Sequence, residues 1–123
     1  MFKYSETFGS AAPMGGGHQY EKQVDENDGN EGMYQFEPHN NTYELARRYA
    51  QDRKYPLRIF IAVGDKDRNY RPNLEWMEHL RSLKIPFEKR IVTGVPHSQK
   101  MVYQQAGSEI MQFHATSFAA GNP

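Results

Sequence analysis

The sequence predicts an α/β domain of about three parallel strands with flanking helices. Three observations point there. Two runs with strand character, Leu57–Val63 and Pro86–Thr93, each end at a glycine. Stretches with apolar residues at helical spacing precede, separate and follow them. Strands alternating with helices of this length imply βαβ units, and those units force parallel strands joined by right-handed crossovers.

The elements follow in chain order. Phe8–Met14 is a short candidate strand. Residues 15–41 are rich in Gly, Asn, Asp, Glu and His, with almost no hydrophobic periodicity. A polar stretch this long is expected to be either a solvated loop or a functional lid. Thr42 to about Asp52 reads as a helix, with Leu45, Ala46, Tyr49 and Ala50 on one face and Asn41 or Thr42 as the cap. Leu57-Arg-Ile-Phe-Ile-Ala-Val63 reads as a strand buried on both faces. A second helix begins near Pro72, a residue suited to a first turn, with Leu74, Met77, Leu80 and Leu83 as its inner stripe. Pro86–Thr93 is the next strand. The last helix runs from about Ser98 to Phe118 with Val102, Ala106, Ile110, Phe113 and Ser117 on one face. Gly107 in its middle costs about 1 kcal/mol.

Composition bounds the function. The chain has 123 residues, 15 basic and 15 acidic side chains and no cysteine, which suits one domain. Leu, Ile, Val and Phe number only 22, so a small core with long polar loops is expected. Zero net charge removes any general electrostatic pull toward nucleic acid or anionic lipid, so neither is an expected partner. No segment approaches the roughly 18 consecutive apolar residues of a membrane span. The first residues lack the apolar run of a signal peptide. Without cysteine, redox chemistry says nothing about compartment.

The predicted topology concentrates chemistry on one rim. Loops after parallel strands emerge on the same side, and ligands and catalytic groups in such folds sit outside the carboxyl ends of the strands. Three loops qualify: Gly15-Gly-Gly-His18, Gly64-Asp-Lys-Asp-Arg-Asn69 and Gly94-Val-Pro-His97. Asp65 or Asp67 and His97 can there form an Asp–His pair. The carboxylate accepts the imidazole Nδ1–H and fixes the tautomer, leaving Nε2 to take a proton from a nucleophile. His18 could line the pocket. His39, His79 and His114 read as structural or surface residues, and Trp76 as helix packing. Other motifs fail on spacing: neither Asp25–Phe36 nor Asp65–Trp76 has the glycine and terminal glutamate of a calcium loop. Gly15-Gly-Gly17 lacks the Gly-Lys-Ser/Thr ending of a P-loop.

The pieces Phe8-Gly-Ser-Ala-Ala-Pro-Met-Gly-Gly16, Ile59-Phe-Ile-Ala-Val-Gly-Asp-Lys-Asp67 and Thr93-Gly-Val-Pro-His97 together resemble the C-terminal part of esterase D-like α/β-hydrolases, the group that includes feruloyl and enterochelin esterases. The helix from Asn73-Leu-Glu-Trp to Leu80, leading into Ile85-Pro-Phe-Glu, is similar too. The resemblance spans Phe8–Phe118 and about the second half of such an enzyme. It implies a partial α/β-hydrolase fold, Asp67 as the triad acid and His97 as the general base, with Asp65 as the alternative acid left to brace the turn. It also implies a small-molecule ester substrate and no metal or organic cofactor. Residues 15–41 would be a cap or lid, with Tyr20, Tyr34, Phe36 and Tyr70 as a candidate aromatic wall. The nucleophile elbow Gly-x-Ser-x-Gly does not occur in this sequence. The expectation is therefore a fragment that is inactive alone, its residues before Phe8 being the tail of the nucleophile helix. Self-association through an exposed sheet edge is expected of such a chain. The competing expectation is a non-catalytic α/β ligand-binding or interaction module whose Asp and His serve turns and caps.

Overall fold

The computed structural model describes residues 1–17, 37 and 39–120. Most of the polar segment 15–41 therefore lies outside the described residues, as do His18, Tyr20, Tyr34 and Phe36. The residues ahead of Phe8, expected as the end of a helix, form a single 3-10 turn at Phe2–Tyr4. The elements after it are β1 (Ser10–Ala11), α1 (Thr42–Gln51), β2 (Arg58–Gly64), α2 (Tyr70–Ser82), β3 (Glu88–Val92) and α3 (Gln99–Ala119). The sheet order is β1-β2-β3, all parallel, which is a partial α/β-hydrolase fold.

Helices cover both faces of the sheet. Along β2, Ile59 and Ile61 face one side and Phe60 and Ala62 the other, and all are buried. The first pair joins Tyr43, Tyr49, Trp76, Met77 and Leu80 in a core under α1 and α2. The second pair joins Val92, Val102, Ala106, Ile110 and Phe113 in a core under α3. Burial on both faces explains why the run reads as continuously apolar.

Local chemistry fixes the boundaries. Asn41 caps α1, its Oδ1 accepting the Glu44 N–H at 2.9 Å while its Nδ2 donates to Glu44 Oε2. Ser98 caps α3 by accepting the Met101 N–H. The expected strand Phe8–Met14 shortens to Ser10–Ala11 plus one isolated bridge, Met14 to Ala62. Odd-numbered residues of this segment face β2: Gly9 O accepts from Arg58, Pro13 O accepts from Ala62, and Gly15 N donates to Ala62 O. The rung between them needs an N–H at residue 13, and Pro13 has none.

Two helix stripes differ from expectation. In α1 the buried residues are Tyr43, Ala46 and Tyr49, with Leu45 only half-buried. In α2 they are Asn73, Trp76, Met77 and Leu80, and Leu74 is exposed. Strict three-residue spacing drifts around a helix of 3.6 residues per turn, so Leu74 and Leu80 cannot both face the core squarely. Among the described residues, no helix is long and apolar enough to cross a membrane.

Candidate active site

Two loops leave the carboxyl ends of β2 and β3 side by side. Because β2 ends at Gly64 opposite Val92 of β3, the segments that follow run against each other. They do so with almost no clearance: a Cβ on Gly64 would stand 2.0 Å from the Val95 carbonyl oxygen. The loops are then laced together. Asp65 N donates to Val92 O, Lys66 N to Val95 O at 3.0 Å, and Asp65 Oδ1 accepts the Gly94 N–H at 2.7 Å. The glycine is required by this close approach.

The lacing brings Asp67 to His97. The imidazole Nδ1 lies 3.0 Å from both Oδ1 and Oδ2 of Asp67. Asp67 sits in the turn that starts α2: its N–H donates to Gly64 O, its carbonyl accepts from Tyr70 N, and its Oδ1 accepts the Asn69 N–H at 2.7 Å. Its carboxylate is 2% exposed and the imidazole is 42% exposed. A buried carboxylate must be met by donors, and here Asn69 N–H and His97 Nδ1–H meet it. That bond fixes the neutral imidazole with its proton on Nδ1, so Nε2 is the basic nitrogen. Among the described residues, Nε2 has no hydrogen-bond partner. The arrangement can therefore accept a proton at Nε2 and stabilise the resulting imidazolium.

Of the two candidate acids, Asp67 is the one bonded to His97, while Asp65 braces the turn at Gly94. Sequence reasoning missed three residues that surround the pair. The Gly15 backbone has a φ of +68°, and a Cβ there would fall 2.5 Å from Asp67 Oδ2. Asn69 Nδ2 donates to Gly15 O, and Asn73 Nδ2 donates to Gly16 O, each at 2.9 Å. The glycine triplet after a strand was a weak signal, because a flexible loop carries the same sequence.

Four of the serines are engaged elsewhere. Ser10 lies at the amino end of β1, beside Arg58, and Gly64 is six residue steps further along β2 from Arg58. At about 3.3 Å per residue, Ser10 is roughly 20 Å from the rim that carries His97. Its hydroxyl pairs with His114 Nδ1 at 2.9 Å. Ser98 caps α3, while Ser82 and Ser117 donate to carbonyls of their own helices. A cavity of about 500 Å³ also lies at that far rim, lined by Thr7, Ser10, Arg58, Ser117 and Phe118. No group of three or more potential metal-ligating His, Asp or Glu side chains occurs among the described residues.

No protein-family model and no curated protein matches the chain. Solved structures do. S-formylglutathione hydrolase (FrmB) from Staphylococcus aureus superposes with a TM-score of 0.68 at 15% identity, over 91% of this chain and 43% of that one. The fluorophosphonate-binding serine hydrolase FphF from Staphylococcus aureus gives 0.66 at 15% identity, over 91% and 48%. A ferulic acid esterase gives 0.70 at 20% identity, over 95% and 46%. The chain thus spans less than half the length of the solved proteins it matches. What it shares with them is architecture: a partial α/β-hydrolase fold of the kind found in esterases.

Proposed function

We propose that this chain is the acid-and-base portion of a serine carboxylic-ester hydrolase, with Asp67 and His97 as two members of the triad. The observation that carries the reading is the buried Asp67 carboxylate, held 3.0 Å from Nδ1 of a half-exposed imidazole whose Nε2 has no hydrogen-bond partner among the described residues. The position of both residues, one loop beyond adjacent parallel strands, supports it. So does the likeness to solved proteins named as esterases and serine hydrolases.

In this reading a serine from a part of the enzyme outside this sequence attacks the ester carbonyl. Its hydroxyl proton passes to His97 Nε2, and Asp67 holds the imidazolium that forms. The same proton then goes to the departing alkoxide, releasing the alcohol. Water then attacks the acyl-enzyme, giving up a proton to His97, and that proton returns to the serine oxygen as the acid is freed. Acyl transfer of this type needs no metal or organic cofactor.

The test is expression of the chain together with the coding sequence that precedes Met1 in frame. The joined protein should hydrolyse p-nitrophenyl acetate and take a fluorophosphonate label on a serine outside residues 1–123. The 123-residue chain alone should do neither. A joined protein that neither hydrolyses the ester nor takes the label, or an upstream frame closed by a stop codon, would favour the non-catalytic module, and hydrolysis by the isolated chain would overturn the need for a serine outside it.

A further inference from the structure

Gly15 and Gly16 do more than follow the Met14–Ala62 bridge. With φ at +68°, Gly15 turns its bare α-carbon onto the Asp67–His97 bond: an added Cβ would be 2.5 Å from Asp67 Oδ2 and 3.8 Å from His97 Nδ1. The bend therefore roofs the carboxylate, and Gly15 is itself buried. Three bonds hold it there. Gly15 N donates to Ala62 O at 2.7 Å, Asn69 Nδ2 donates to Gly15 O, and Asn73 Nδ2 donates to Gly16 O. Asn69 and Asn73 are also joined, since Asn73 Nδ2 donates to Asn69 O at 2.8 Å. The backbone N–H of Asn69 closes the circuit on Asp67 Oδ1.

Asn73 is an unusual choice for packing alone. It is fully buried among the apolar residues of α2, and its Oδ1 has no hydrogen-bond partner among the described residues. A buried unpaired carbonyl is a cost that an apolar residue would avoid. What the amide provides is two N–H donors, and both are used to tie the bend to the turn that carries the acid.

We propose that Asn69 and Asn73 are positioning residues that clamp the Gly15–Gly16 bend over the Asp67 carboxylate, keeping water off the Asp67–His97 bond and holding it in one geometry. An Asp–His hydrogen bond is stronger where solvent is excluded, and a catalytic pair works only if the groups behind it are fixed. The clamp's catalytic meaning rests on the hydrolase reading, but its physical effect does not.

The experiment uses the 123-residue chain and proton NMR of the imidazole Nδ1–H of ¹⁵N-labelled protein. The native chain should show a downfield Nδ1–H signal that disappears in His97→Gln. Asn69→Ala leaves the backbone donor to Asp67 in place and removes only the tie to Gly15. It should keep the far-UV circular dichroism of the native chain while speeding solvent exchange of that proton by about ten-fold, the scale one hydrogen bond sets. Asn73→Ser, which shortens the tie to Gly16, should act in the same direction. Unchanged exchange in both folded variants overturns the proposal, as does a native chain with no such signal. Loss of fold in both variants overturns it too, because the amides would then be stabilisers of the domain rather than positioners of the pair. No ester enters this measurement, so an inactive joined protein with an intact clamp would sink the hydrolase reading alone.

Discussion

At Gly15 one added methyl group would collide with a carboxylate oxygen 2.5 Å away, in a backbone conformation that side chains rarely adopt. Gly15→Ala should therefore cost about 1–3 kcal/mol by urea denaturation and abolish the downfield His97 proton signal. A variant with native stability and an intact signal would mean the bend does not touch the pair. His79 offers a second test at this scale. Its ring packs between Tyr43 and Trp76, with Nε2 donating to Tyr43 O. Burial holds its imidazole below the usual histidine range. The unfolded chain then binds a proton more readily than the folded one just below about pH 6.5, so stability is full above that pH and falls as the pH drops through it. The urea midpoint should decline from pH 7.5 to 5.5, and His79→Gln should flatten the decline. Strand ends narrowed the pair to His97 with Asp65 or Asp67, the family resemblance singled out Asp67, and it is Asp67 that bonds to His97. Gly15, Asn69 and Asn73 were not legible in the sequence, because their importance lies in which atoms they meet across more than fifty residues of chain.

Among the elements, β2 was the easiest to read and α2 the hardest. Burial on both faces leaves β2 no polar position to confuse its pattern. In α2, Asn73 is inward and Leu74 exposed, because three-residue spacing drifts around the helix and the inward polar side chain hides the true stripe. The close approach of the β2 and β3 loops makes a sharp prediction. Gly64→Ala would place a methyl group 2.0 Å from Val95 O, so the loop bearing His97 must move. Overpacking of this kind should cost about 1–3 kcal/mol, and it should weaken the His97–Asp67 bond more than it weakens either core. Native-state hydrogen exchange resolves the two, with early opening expected at residues 94–97 and unchanged protection along β2.

For the whole molecule, the two edges of the sheet differ in chemistry. The β3 edge carries Glu88, Lys89 and Arg90, all exposed, and charge of that kind discourages strand addition. The Gly9–Met14 segment carries no charge, and its even-numbered backbone groups face away from β2. Phe8 and Phe118 are exposed beside this segment. Sedimentation velocity should show concentration-dependent association, and Ala12→Pro should reduce it by removing an outward N–H without disturbing a rung to β2. Association unaffected by that change would place the contact elsewhere. The central assignment, Asp67 as the acid serving His97, is tested most directly in the protein joined to its upstream sequence, by comparing kcat for ester hydrolysis in Asp67→Asn and Asp65→Asn. The expected result is a loss of about 10⁴-fold for Asp67→Asn, the scale set by losing the acid of a triad, with Asp65→Asn retaining most activity. Equal losses from both, or full activity in Asp67→Asn, would contradict it.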